Sequence, residues 1–146
     1  MAGPVVVARP LVARIVAVVV AAAFVVLFTG AAVVLPVSGT GVYFRPADQV
    51  SIALIGLAMA AVFLLAARPR VRADAEGIEV RNFGSTRRLR WDQVRRVAFP
   101  DGALWARLEL GADEYLAVLA IQAVDRERAV EAIRGVRALH AAARTP

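Results

Sequence analysis

Hydrophobic and polar positions fall into three regimes along this chain, with abrupt changes between them. No charged residue occurs between residues 15 and 44, and none between 49 and 67. Residues 15–35, wound as a helix, are apolar around the full circumference and would be roughly 31 Å long, enough to cross the hydrocarbon core of a bilayer. Residues 50–67 would reach roughly 27 Å, at the lower limit for a span. Asp48 and Ser51 are candidate caps at the start of this second segment, and Arg68-Pro69 ends it. Between the two, Pro36, Ser38, Gly39, Thr40 and Gly41 form a turn-prone loop, with Tyr43 and Phe44 as candidate interfacial anchors or as simple packing against the helix ends. The pattern predicts a two-helix transmembrane hairpin.

From residue 70 the period becomes two. Val71 and Ala73 alternate with Arg70, Arg72 and Asp74, and a turn follows at Glu76-Gly77. Ile78 and Val80 alternate with Glu79 and Arg81 up to a second turn at residues 82–85. Leu89 and Trp91 alternate with Arg88, Arg90 and Asp92, and Val94 and Val97 lead to Pro100-Asp101-Gly102. Leu104, Ala106, Leu108 and Leu110 then alternate with Trp105, Arg107 and Glu109, and residues 115–121 are almost continuously apolar. Short alternating runs separated by turns predict an antiparallel sheet with one face buried.

The third regime has helical period. Asp125 is placed to cap a terminal helix, with Val124 and Ala129 as its hydrophobic staple. Ala129, Val130, Ile133, Val136 and Leu139 or His140 make one stripe, while Glu127, Arg128, Glu131, Arg134 and Arg137 face away. Gly135 costs this helix about 1 kcal/mol relative to alanine, so it marks close packing against the sheet or a weak point before a frayed end. About six strands and one helix make a small α+β domain, an antiparallel sheet or partial barrel capped by a C-terminal helix.

The domain organisation expected is therefore an N-terminal segment (1–14), a first span (15–35), a loop (36–49), a second span (50–67) and a folded domain (70–144). Arginines fix the expected sidedness. Arg9 and Arg14 precede the first span and Arg68, Arg70 and Arg72 follow the second, whereas the loop holds Arg45 beside Asp48. The positive-inside rule puts both termini and the C-terminal domain in the cytoplasm, on an integral plasma-membrane protein. A second reading makes the first segment a signal peptide cleaved near Thr29-Gly30-Ala31, and the C-terminal domain stays cytoplasmic under it too. Gly56 and Ala60 form a small-xxx-small pair, suited to packing between the two spans or to a homodimer.

Composition narrows the chemistry. Hydrophobic residues make up 60% of the 146, too many for an ordinary soluble protein of this size. There is no cysteine, which excludes disulfides, thiolate metal sites and cysteine nucleophiles. The net charge is +6 and all 18 cations are arginine, a bias that fits a GC-rich genome together with the many alanines and valines.

The stretch Arg72-Ala-Asp-Ala-Glu-Gly77-Ile78-Glu-Val80, then Leu89-Arg-Trp91-Asp92-Gln-Val94, then Ala129, Val130 and Ile133 on a last helix, resembles the bacterial PH-domain proteins of actinobacteria. In layout it is most similar to the group named after the mycobacterial low molecular weight protein antigen 6, whose members also carry two N-terminal spans. The resemblance covers nearly the whole chain, and its motifs describe strands and turns rather than chemistry. It implies a PH fold of seven strands, one more than the alternation supplies; either the sheet is pruned or a short strand lies in residues 93–100. PH folds serve as lipid or protein docking modules, so the function implied is non-enzymatic docking at the inner leaflet, with no cofactor.

Candidate contacts follow from charge and phase. Arg70, Arg72, Arg87, Arg88, Arg90, Arg95 and Arg96 form a cationic set for anionic phospholipid headgroups, with Trp105 and Arg107 beside it. The plainer reading is a solvated, salt-bridged strand face, since Asp74, Glu76, Glu79 and Asp92 are close in sequence. Trp91 is on the apolar phase and is expected in the core; Trp105 is on the opposite phase, as an exposed anchor or under a loop. The lone His140 has no second metal ligand near it and is expected as a partly exposed helix residue, and Asp113-Glu114 as a solvated turn. Nucleic acid is the rival partner for so basic a chain, but Glu127 and Glu131 break up the basic field of the last helix. The competing function is a protein–protein scaffold or a subunit of a membrane assembly, with no specific lipid ligand.

Overall fold

The computed structural model describes residues 4–35, 45–111 and 113–145, in two compact units. One unit is Ala13–Ala67; the other joins the N-terminal segment up to Val12 to everything from Arg68 onward. The loop at 36–44, with Tyr43 and Phe44, lies outside the described residues.

Helix α1 runs Leu11–Val34 and α2 runs Pro46–Ala66. Proline at the first helical position lets α2 begin at 46, because the missing amide is one no helix start can satisfy internally. Asp48, in the first turn, accepts the amide of Arg45 at 2.9 Å, while Ser51 donates to the carbonyl of Ala47 inside the helix. Only Asp48 therefore works as a cap. Gly56 and Ala60 are buried against α1, and a Cβ on Gly56 would overlap the side chain of Phe28. Phe24 stacks on Phe63 with ring centroids 5.5 Å apart. The small-residue pair thus serves contact between the two helices of one chain.

Among the described residues the other unit contains seven strands. Val6–Ala8 (β1), Arg70–Ala73 (β2), Gly77–Arg81 (β3) and Thr86–Arg90 (β4) form one antiparallel sheet in that order. Arg96–Ala98 (β5), Trp105–Gly111 (β6) and Glu114–Gln122 (β7) form a second. Helix α3, Glu127–Ala142, closes the fold. One short strand does lie within residues 93–100, as β5, but the strand that completes seven comes from the other end of the chain. Val6 pairs with Ala73 and Ala8 with Val71, so the whole helical hairpin is inserted between two neighbouring strands of one sheet.

Alternation places the core. Val71, Ala73, Ile78, Val80, Leu108 and Val118 point inward from both sheets, and Ala129, Ile133, Val136 and Leu139 cover them from α3. Val130 is exposed, and the stripe turns through both Leu139 and His140. Asn82 joins the two sheets: its side-chain amide donates to the carbonyl of Ala117 at 2.7 Å and accepts the amide of Leu119. Gly135 is explained by β1, since a Cβ there would come within 2.8 Å of a Val6 methyl. It marks close packing, against a strand from the far N-terminus.

Three local expectations are corrected. Strand β4 ends at Arg90, and Trp91 opens a 3-10 turn that still delivers its ring to the core; its indole N–H donates to the carbonyl of Asp74 at 2.8 Å. His140 is buried rather than partly exposed, its Nε2 2.7 Å from the carbonyl oxygen of Val94 and its ring 5.5 Å from that of Trp91. An imidazole at that distance from a carbonyl carries its proton on Nε2. Asp125 does not cap α3, whose cap is Arg126 at φ 47°. Its carboxylate accepts the amides of Leu11 and Val12 at 3.3 and 3.0 Å, the first two residues of α1. Sequence proximity favoured the nearer helix; the fold supplies a different start with free amides.

Candidate functional site

The strand register sorts the arginines by face. On β2 the buried residues are Val71 and Ala73, so Arg70 and Arg72 point outward. Arg81 and Glu79 do the same on β3, and Arg88 and Arg90 on β4. Cross-strand pairing sets Arg70 beside Arg81, and Arg72 beside Glu79 beside Arg88. Five arginines thus share the outer face of the first sheet. Arg81 belongs to this group although the sequence reading did not select it; the alternation at Glu79 and Arg81 was the signal that could have found it.

Two carboxylates reach arginines of this face. Arg88 Nε meets Glu79 at 2.5 Å and Arg90 Nε meets Asp92 at 3.6 Å, both arginines largely in solvent, where such pairs contribute about 0–1 kcal/mol. Arg70, Arg72, Arg88 and Arg90 line a shallow concavity of about 440 Å³ with Asp74, Glu76 and Glu79. Arg70 Nε is a buried donor with no acceptor among the described residues. Such a donor costs about 1–3 kcal/mol until an acceptor reaches it.

The remaining candidates are elsewhere. Arg87 sits on the inward phase of the edge strand β4, opposite Val80, and reaches Glu114 at 3.6 Å. Glu114, at the start of β7, keeps most of its side chain in solvent beside this one partner. Arg95 and Arg96 are exposed at β5, where the carbonyl of Arg95 accepts from Arg144 at 3.2 Å. Arg107 lies on β6 between Glu109, at 3.4 Å, and the ring of Tyr115, 5.6 Å from its centroid. Trp105, at the start of β6, is exposed, at 40%. The fold thus gathers Arg70, Arg72, Arg88 and Arg90 and disperses Arg87, Arg95, Arg96 and Arg107.

The ends of the strands matter as much as the face. Ala8, next to the exit of β1, pairs with Val71, and Arg70 at the entry of β2 pairs with Arg81 at the end of β3. Pro10 and Pro69, where the chain leaves for and returns from the helices, are both buried. The row Arg70–Arg81 is therefore the part of the arginine face nearest the two points where the hairpin joins the domain.

Four strands and three strands in two antiparallel sheets, closed by a C-terminal helix, define a PH-like domain. The family model described as the bacterial PH domain matches residues 68–139. The uncharacterized proteins Rv1417 of Mycobacterium tuberculosis and Mb1452 of Mycobacterium bovis are each 46% identical to the chain over 121 residues, 82% of this chain and 79% of the relative. That length exceeds what lies beyond Arg68, so the likeness extends into the first 67 residues. The chain belongs to this family of bacterial PH-domain proteins. None of these matches carries the finer resemblance to the antigen 6 group. No solved structure matches the chain significantly. The family match begins at Arg68 and so leaves out β1.

Proposed function

We propose that this protein is a non-enzymatic docking module held at the inner leaflet of the plasma membrane by its helical hairpin, and that the arginine face of its first sheet takes anionic phospholipid headgroups. The observation that carries the reading is the outer face itself: Arg70, Arg72, Arg81, Arg88 and Arg90 beside a single in-strand carboxylate, Glu79. Arg70 follows the apolar residues 50–67 by three positions, so chain length alone keeps it within about 11 Å of them. Each arginine within a Debye length of an anionic leaflet contributes about 1 kcal/mol. The effect should be graded. Arg72 and Arg88 lie one two-residue step beyond the Arg70–Arg81 row and Arg90 two steps, about 7 and 13 Å along the strands.

Arg68, Arg70 and Arg72 also favour a cytoplasmic domain through the positive-inside rule, so their charge supports sidedness first and lipid contact second. The topology is testable by a reporter fused after Pro146, which this reading expects to be active only in the cytoplasm. Lipid contact is tested by flotation of a soluble version in which a short antiparallel turn replaces the hairpin between β1 and β2. Binding to phosphatidylglycerol vesicles, lost with rising salt and weakened most by Arg70→Gln and Arg81→Gln, supports the reading. Absence of binding at low salt would leave the alternative, a protein scaffold for which lipid is incidental.

A further inference from the structure

Several large apolar side chains of the domain stand in solvent, and three of them are grouped by the topology. Phe83 is 58% exposed at the tip of the β3–β4 turn, two residues beyond Arg81, which pairs with Arg70 at the start of β2. Leu104 and Val124, 68% and 54% exposed, belong to two connections joined by a backbone hydrogen bond from Ala123 to Leu104 at 2.9 Å. Val124 precedes Asp125, whose carboxylate holds the amides of Leu11 and Val12. Tyr115, of comparable exposure, differs in having Arg107 over its ring.

Both tips therefore flank the points where the chain enters and leaves the hairpin. β1 and β2 are hydrogen-bonded neighbours, so Ala8 and Val71, the last pair before those points, are about 5 Å apart. Four residues, about 6 Å of helix, separate Leu11 from the start of the uncharged run at Ile15. The headgroup layer on each side of the hydrocarbon is about 5–7 Å deep. A carboxylate bonded to Leu11 and Val12 is thus at headgroup depth, and Val124 is one residue from it. Asp125 offsets its desolvation there by capping a helix start.

We propose that Phe83 on one side, and Leu104 with Val124 on the other, insert into the interfacial layer of the bilayer and seat the domain on the membrane. The occupant is lipid, because two apolar tips on separate connections converge where the chain itself crosses into apolar sequence. This inference rests on the membrane reading of the hairpin and goes beyond it: a tethered domain need not touch the surface, whereas a seated one is fixed against it with the Arg70–Arg81 row at the headgroups.

The absence of native cysteine makes the test direct. Single variants Phe83→Cys, Leu104→Cys and Val124→Cys of the full chain, spin-labelled and reconstituted in phosphatidylglycerol–phosphatidylethanolamine vesicles, report collision with oxygen against collision with a water-soluble nickel chelate. Glu76→Cys, in the turn at the far end of β2, and Val19→Cys, exposed on α1, supply the aqueous and hydrocarbon references. The expected result is a severalfold shift toward oxygen at all three tips, intermediate between the references. Tips that match Glu76 while Val19 reads as hydrocarbon overturn the seating and leave the hairpin reading intact. A Val19 label that reads as aqueous overturns both.

Discussion

The helical hairpin and the domain use the same valines, alanines and leucines to opposite ends. In α1 and α2 only 11% of each apolar window is buried inside the structure, so the side chains stand outward around the whole circumference. In the domain the same residue types alternate with arginine and glutamate, and the inward set is almost entirely enclosed. The domain is thus organised by water, which rewards hiding one face of each strand. The hairpin is not: an outward shell of valine and leucine fits a lipid environment, where helix contact depends on close packing instead of hydrophobic burial. The two regions should consequently fail by different routes.

The largest effect expected is in the domain. Trp91→Ala removes a buried ring, its hydrogen bond to Asp74 and its contact with His140, and should cost about 3–5 kcal/mol in urea unfolding of the soluble version. In the full chain in detergent the same substitution should leave the helical signal of the hairpin in place; loss of both together would break the comparison. Removing β1 comes next. Residues 70–146 alone should be about 2–3 kcal/mol less stable than the version that keeps Val6–Ala8 joined to β2, through lost burial of Val6 and lost strand hydrogen bonds.

The hairpin should respond to packing volume. Gly56→Val forces a side chain into the space of Phe28 and should destabilise the helix pair by about 1–3 kcal/mol, with recovery in the Gly56→Val, Phe28→Ala double variant. Cysteine crosslinking between α1 and α2 in the full chain reads this, while its tryptophan fluorescence, from Trp91 and Trp105 in the domain, stays unchanged. The smallest effect is expected at the join. Asp125→Ala leaves the amides of Leu11 and Val12 without their carboxylate and should cost about 1 kcal/mol, seen as faster amide exchange at Leu11 and Val12. An unchanged exchange rate there would show that the cap is not used.

Local periodicity made most of the strands legible, because a strand with one buried face must alternate. It also put Trp91 in the core, even though the backbone turns away from strand geometry at that residue, since inward phase survives a 3-10 turn. β1 was not legible. Val5, Val6 and Val7 carry no alternation, and in a short segment ahead of the first span they give no strand signal of their own. Asp125 was misassigned for a related reason: a capping carboxylate is recognised by the helix that follows it, and nothing local tells of free amides more than a hundred residues earlier. The arginine site was half legible. Net charge and spacing named the right residue type, but only register separates Arg87, turned toward Glu114, from Arg88, turned outward.

By itself, then, the sequence determined the properties that depend on neighbours along the chain: two apolar helices, alternating strands, a terminal amphipathic helix and an excess of arginine. The tertiary structure decided what depends on partners far apart. It made the hairpin an insertion within a sheet instead of an anchor placed ahead of a domain. It gave Gly135 its reason in Val6, and it drew Asp125 to α1. The physical cause is common to all three. An edge strand, an unfilled contact and an uncapped helix start are each satisfied by whatever the fold brings near, and separation in sequence has no bearing on that distance.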